Sequence, residues 1–343
     1  MSPQFVDFNG DGIQDIVAGT FDGSPHVAFG TGKGWKQPEQ ILDRNGARIV
    51  FNEFWNFDTN KWDETKRCDP DGKTLASAHL TSAVAFDWDG DGDLDLLLGD
   101  HKNGYVFLRR NEGTAKEPAF ATKNEVVYAG GKLIVVPGTV ATMRLVDWNH
   151  DGLLDLACGS MGDAFRMEEG GGVYMFLNTG TKQATAFGNL LVLVSPSKKT
   201  SVDGPTRPDS GIYMDFGDQD GDGDLDLIVR GYSNWAPVLP ALTRSQWERV
   251  ATLKMTLAQL GEQSRAMNHA LEDAIKGLDV AAAEAKREEV FASQKEARAA
   301  LDIQRKSVED ELAPLNREPE RNSFVWIYEN TAASAQAQAS GKK

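Results

Sequence analysis

Asp87-Trp88-Asp89-Gly90-Asp91-Gly92-Asp93-Leu94-Asp95 runs straight into Leu96-Leu97-Leu98-Gly99, and this acidic loop feeding an apolar strand decides the fold. The pattern D-x-D/N-x-D-G-x-x-D recurs at Asp7 to Asp15, Asp147 to Asp155 and Asp218 to Asp226. The strands that follow are Ile16-Val17-Ala18-Gly19, Leu156-Ala157-Cys158-Gly159 and Leu227-Ile228-Val229-Arg230-Gly231. Oxygen side chains at positions 1, 3, 5 and 9, with glycine at 6 to turn the backbone sharply, suit a hard cation that takes six to eight oxygens. The expected cofactor is Ca2+, up to four ions. The candidate ligands are Asp7, Asn9, Asp11 and Asp15; Asp87, Asp89, Asp91 and Asp95; Asp147, Asn149, Asp151 and Asp155; and Asp218, Asp220, Asp222 and Asp226.

An EF-hand loop begins in the same way but needs a bidentate Glu at position 12 and a helix on each side. Position 12 here is Ala18, Leu98, Cys158 or Val229, which excludes it. Metal-free polar turns are the plain alternative, since Asp, Asn and Gly favour turns unaided. They do not account for the charge: fourteen of the sixteen ligand positions are Asp, and carboxylates within about 6 Å of one another resist ionising without a cation.

The loops begin at residues 7, 87, 147 and 218, spacings of 80, 60 and 71. Such periods fit one four-stranded propeller blade with insertions. After each acidic loop and its strand comes a second strand: His26 to Thr31, Tyr105 to Asn111, Val173 to Asn178 and Phe324 to Asn330. Asn45-Gly46 and Gly130-Gly131 mark tight hairpins, because both dipeptides tolerate the positive φ of a type I′ turn. Segments such as Ser82 to Phe86 and Ala141 to Val146 lead into the next loops with β-branched and apolar residues. No strand is expected ahead of the first loop, so the chain reads as starting inside a unit. No signal peptide is expected ahead of a loop that begins at residue 7.

The loop, the apolar strand ending in Gly and the later Asn-x-Gly-Thr turns (Asn111 to Thr114, Asn178 to Thr181) resemble the FG-GAP/VCBS repeat family, the calcium-loop propellers also seen in integrin α-subunits. The resemblance covers roughly residues 1 to 240 and 322 to 331. It implies an all-β fold: a β-propeller of about four recognisable blades, either a ring by themselves or part of a larger one. Two departures bear on the metal sites. His150 replaces the usual small residue at position 4 of the third loop, and Asp215-Phe216-Gly217 reads as a three-residue insertion before the fourth.

Residues 243 to 315 change pattern completely. Ser245-Gln246-Trp247-Glu248 reads as a capping box, and Trp247, Val250, Leu253, Leu257, Leu260, Met267, Leu271, Ile275 and Leu278 recur at helical spacing. Met255 and Met267 are core candidates. Gly277 ends this helix, Asp279 caps the next, and Pro314 stops it. The expectation is an antiparallel αα-hairpin inserted in blade 4. Domain boundaries follow: blades over 1–242, the hairpin over 243–315, the return strand over 316–331 and a disordered tail over 332–343. The hairpin either packs on itself, as a short coiled coil, or serves as an arm for a partner.

A formal charge of −15, from 36 basic and 51 acidic residues, argues against nucleic acid and against an anionic membrane surface. No stretch is apolar enough to span a membrane. Cys68 and Cys158 are too few for a disulfide framework. No H-E-x-x-H, G-x-S-x-G or phosphate loop appears, and the five histidines show no ligand spacing. The chain therefore reads as a binding protein and not an enzyme. The expected role is a calcium-stabilised extracytoplasmic scaffold (secreted, periplasmic or at the cell surface) for a carbohydrate or protein ligand. Two other readings stay open: a propeller module of a polysaccharide-active enzyme, and an assembly component that self-associates through the hairpin or open blade faces. Phe51-Asn52-Glu53-Phe54-Trp55-Asn56-Phe57 with Trp62 reads as an extended aromatic loop, able to stack on sugars or to plug the fold. Trp88 and Trp148, at position 2 of their loops, are expected to pack between blades.

Overall fold

The computed structural model describes residues 3–65, 79–162, 170–196, 208, 210–235, 241–315 and 320–331. The expected tail and Cys68 lie outside them. The chain divides into a β unit, which holds the described residues up to Trp235 and those from Arg321 onward, and a helical unit between Ala236 and Glu320.

Four sheets, antiparallel but for one short pair, follow one another along the β unit. Sheet 1 orders β1 (Gln4–Val6), β2 (Asp15–Gly19), β3 (Pro25–Ala28) and β6 (Glu39–Gln40), with the short pair β4 (Gly30–Thr31) and β5 (Gly34–Trp35) before β6. A separate hairpin, β7 (Glu53–Asn56) and β8 (Lys61–Glu64), comes next. Sheet 2 holds β9 (Leu80–Phe86), β10 (Asp95–Asp100), β11 (Val106–Arg109) and β12 (Glu125–Val126). Sheet 3 has six strands, ordered β14 (Lys132–Leu133), β13 (Tyr128–Ala129), β18 (Phe187–Val194), β17 (Val173–Asn178), β16 (Asp155–Ser160) and β15 (Val140–Val146), with β13 parallel to β18. Sheet 4 has three strands: β19 (Ser210–Gly217), β20 (Asp226–Trp235) and β21 (Glu320–Tyr328). The described residues form no closed sheet.

Each acidic loop joins the first and second strands of its sheet, which in sheet 3 are β15 and β16. This corrects two expectations. Gln4–Val6 supplies the strand thought missing before the first loop, pairing Val6 with Asp15. Asp215-Phe216-Gly217 is no insertion: it is the end of β19, and Gly217 pairs with Asp226 as Val146 pairs with Asp155. The tight turn at Gly130-Gly131 has φ of 56° and 76° and closes β13 onto β14.

Strand alternation explains why the second strands read as continuous apolar runs. Leu96 and Leu98 face sheet 1, in a cluster with Val17, Val27, Ala83 and Phe107, while Leu97 faces sheet 3, with Val84, Met143 and Cys158. Both faces are buried, so neither admits a polar residue. A third cluster joins Ala157 and Met175 of sheet 3 to Ile212, Met214, Leu227 and Val229 of sheet 4. Trp88 sits against Phe86 and Phe187, and Trp148 against Phe216, as expected of residues between sheets. Cys158 is wholly buried in the apolar cluster of sheets 2 and 3, which pushes its thiol pKa far up and leaves it inert.

The helical unit pairs α1 (Arg244–Ile275) with α2 (Val280–Leu312). Thr243 is the N-cap of α1 and exchanges capping-box hydrogen bonds with Gln246. That moves the box two residues from the expected Ser245 and Glu248; Glu248 instead accepts from Arg244 at 3.1 Å. Asp279 caps α2 through Ala282 N–H, and Gly277, at φ 79°, makes the turn. The pair shares a small core of Val250, Leu253 and Leu312, and Arg249 makes a two-pronged bridge to Glu311 at 2.6 and 2.7 Å. Trp247 and Met255 are 60% and 66% exposed, so Trp247 leaves the expected stripe and Met255 is no core residue.

Glycine at the fifth position of the second strand in sheets 1 to 3 sets how closely the next sheet approaches. A Cβ on Gly19 would lie 2.8 Å from Ser82 N, and one on Gly99 would lie 2.6 Å from Val140 Cγ1. On Gly159 it would clash with Ile212 O. Gly159→Ala is expected to lower stability by about 1 to 3 kcal/mol, the usual cost of overpacking, read as a reduced denaturation midpoint. An unchanged midpoint would contradict this packing.

Candidate functional site

The acidic loops share one hydrogen-bond scheme. The carboxylate at position 1 accepts two loop amides: Asp7 from Asp11 and Gly12, Asp87 from Gly90 and Gly92, Asp147 from Asp151 and Gly152, Asp218 from Gly221 and Gly223. The carboxylate at position 5 accepts from the amide two residues on, as Asp91 does from Asp93 at 3.0 Å and Asp222 from Asp224 at 3.1 Å. Curling the backbone this tightly needs positive φ at position 6, where Gly12, Gly92, Gly152 and Gly223 lie between 85° and 95°. Position 4 is also left-handed: Gly10, Gly90 and Gly221 adopt it freely, while His150 adopts it at φ 57°.

Position 9 does different work. Asp15, Asp95, Asp155 and Asp226 are all but wholly buried. One oxygen of each accepts the amide at position 2 of its own loop, from Phe8, Trp88, Trp148 or Gln219, at 2.8 to 3.1 Å. The other accepts an amide at or just past the end of the third strand, from Gly30, Asn111, Asn178 or Asn330, at 2.6 to 2.9 Å. These bonds hold the acidic loop to the strand that follows. Asn111 and Asn178 then brace the next turn, accepting from Gly113 and Ala119 and from Gly180 and Ala186.

In the second loop Asp87, Asp89 and Asp91 bring one oxygen each within 4.8 Å of one another, and in the fourth Asp218, Asp220 and Asp222 do the same. Loops 1 and 3 put Asn9 and Asn149 at position 3, each donating to the Asp at position 5. Hard oxygens converging without a cation are in tension. Asp89 Oδ1 is buried with no hydrogen-bond partner, although Arg110 meets the other oxygen at 2.8 Å. Burial first, then the charges of Asp91, Asp89 and Asp87, raise Asp93 to about 6. Burial likewise raises Asp95 to about 6 against the hydrogen bonds it accepts, with Asp89 and Asp93 adding to the rise. Asp155 moves in the same direction, again chiefly through burial. The residues fit a calcium ion, which would supply the missing positive charge. Asp87, Asp89 and Asp91, with their counterparts in loop 4, are the groups that would hold it.

The turns joining second and third strands lie at the other end of the sheets. There the expected aromatic loop is a β-hairpin, with Trp55 paired across from Trp62. Phe21 lies 5.8 Å from Trp55 and 5.7 Å from Trp62, centroid to centroid. His79 stacks on Trp62 at 4.4 Å and on His101 at 4.6 Å. Burial, then His101 and Lys102, push His79 down to about 3, so it is a neutral ring at pH 7. Beside Phe21, Asp22 is buried and bonded to Thr20, Ser24 and Gln40. Burial opposes its charge, but these hydrogen bonds prevail and lower its pKa. The sequence showed the aromatics; the part played by His79 and Asp22 depends on strands brought together from residues far apart in the chain.

Among known families, the model described as FG-GAP-like repeat matches residues 87–158 and 147–229, which hold loops 2, 3 and 4. No curated protein matches the chain.

The raised carboxylates set the pH dependence. A folded-state pKa above the unfolded value near 3.8 means the folded chain binds the extra proton, so this stability is full below 3.8 and is lost as pH rises through about 6. Calcium-free protein is expected to melt higher at pH 5 than at pH 7.5. With saturating calcium the order reverses, because protons then compete with the ion. Calorimetric melts at both pH values, with chelator and with calcium, check both signs.

Proposed function

From the FG-GAP-like repeats that this chain carries, we propose that it is a calcium-stabilised propeller module that binds a carbohydrate or protein ligand outside the cytoplasm. The observation behind this reading is the convergence of Asp87, Asp89 and Asp91, repeated by Asp218, Asp220 and Asp222. In each place a run of Asp and Gly puts three carboxylates around one point. Calcium there ties the loop together and offsets the carboxylate repulsion that adds to burial in raising Asp93 and Asp95. Extracellular calcium modules of modest affinity work at about 10⁻⁴ to 10⁻³ M, a concentration met outside the cytosol. No helix among the described residues is long and apolar enough to cross a membrane.

The ligand face is the end of the sheets opposite the acidic loops. Phe21 is 59% exposed and Trp62 36% exposed there, and large aromatic faces beside Asp22 and Glu53 suit a pyranose ring. We assign binding and not catalysis: the converging acids lie in loops whose carboxylates are engaged by their own backbone.

Titration of metal-free protein with calcium in a calorimeter tests the reading. Asp91→Ala and Asp222→Ala are each expected to lower the bound calcium by about one ion per chain, and chelator is expected to lower the melting temperature, since a ligand of the folded state stabilises it by mass action. No heat of binding and identical melts in chelator would remove calcium from the function. Trp62→Ala is expected to weaken carbohydrate binding on a glycan array while leaving calcium binding intact.

A further inference from the structure

The fifth position of the second strand is Gly19, Gly99 and Gly159 in sheets 1 to 3, each where the next sheet packs too closely for a side chain. In sheet 4 it is Arg230. A sheet cannot approach this face as sheets 2, 3 and 4 approach their predecessors. Alternation along the strands sends Ile212, Met214 and Val229 toward sheet 3 and leaves Tyr213, paired with Arg230, on the opposite face.

That face, with Pro3 ahead of β1 and Arg144 of β15, lines a cavity of about 770 Å³ shared by Tyr213, Asp215, Arg230 and Tyr232, a volume usual for a small-molecule site. Arg144 meets Asp215 at 3.7 Å, while Arg230 is exposed and has no ion-pair partner among the described residues. Arg230 thus brings a guanidinium to this cavity in a chain whose net charge is −15. A guanidinium meets a carboxylate with two parallel hydrogen bonds, and the Tyr213 and Tyr232 rings beside it line the cavity with aromatic surface that suits a sugar ring. We propose that the cavity beside sheet 4 binds a carboxylate-bearing sugar, a uronate, held by Arg230. Only the choice of a saccharide rests on the function proposed above; the charge and the cavity stand without it.

The test uses the full, calcium-loaded chain titrated with D-glucuronate, D-glucose and N-acetylglycine, followed by calorimetry. Glucuronate is expected to bind at least roughly tenfold more tightly than either comparison ligand, a difference of about 1.4 kcal/mol. Arg230→Gln is expected to cost roughly tenfold or more in glucuronate affinity, with the melting temperature and calcium stoichiometry unchanged because Arg230 is exposed. Equal binding of glucose would overturn the proposal, as would an Arg230→Gln variant that binds like the parent. N-Acetylglycine binding as well as glucuronate would overturn the sugar assignment. If glucuronate binds as expected while no calcium does, the proposed function fails and this cavity stands.

Discussion

The buried aspartate at position 9 of each loop is the interaction on which the β unit depends. Asp15, Asp95, Asp155 and Asp226 each offer two oxygens to two backbone amides, one at the loop's entrance and one near the end of the third strand. A buried, ionised carboxylate is costly unless its hydrogen bonds are met. Here the charge is met by amides that would otherwise be orphaned where the ladder stops. One residue thereby fixes the start of the second strand, the mouth of the acidic loop and the end of the third strand.

Given that anchor, the rest of the loop has little freedom. Position 1 accepts two amides from the curl, glycine at position 6 supplies the left-handed backbone, and the side chains at 1, 3 and 5 turn inward together. The convergence that suits a cation is thus a by-product of backbone satisfaction, and its carboxylate repulsion adds to burial in raising Asp93 and Asp95. His150 fits the same curl from a strained φ of 57°, which a backbone held this firmly tolerates.

The two ends of the sheets divide the chemistry. The loops between first and second strands hold acids, while the turns between second and third strands, with the β7–β8 hairpin, hold Phe21, Trp55, Trp62 and two stacked histidines. Rings gathered on strand ends pack against one another and so restrict each other's rotamers. The faces of the sheets are otherwise apolar and mutually buried. Sheet 4 departs from this, with Tyr213, Asp215 and Arg230 on the side turned away from sheet 3.

The sequence alone determined the acidic loops, the apolar strands after them, the turn at Gly130-Gly131 and the existence of a helical hairpin, because each depends on near neighbours: ligand spacing, period-two burial, positive-φ glycine and i, i+4 stripes. It misjudged Asp215-Phe216-Gly217 and Gln4–Val6, since whether a segment is an insertion or a strand depends on the partner it pairs with. The capping box at Thr243 and the exposure of Trp247 and Met255 went the same way, decided by which helix face found a partner. Tertiary structure alone decided that position 9 bonds an amide as far off as Asn330, 104 residues from Asp226. It alone brought His79 against Trp62, and it alone gave Gly19, Gly99, Gly159 and Arg230 their meaning. Read in its strand alone, each is only a small or a charged residue after an apolar run; the packing of the next sheet against Gly19, Gly99 and Gly159 is what requires glycine there.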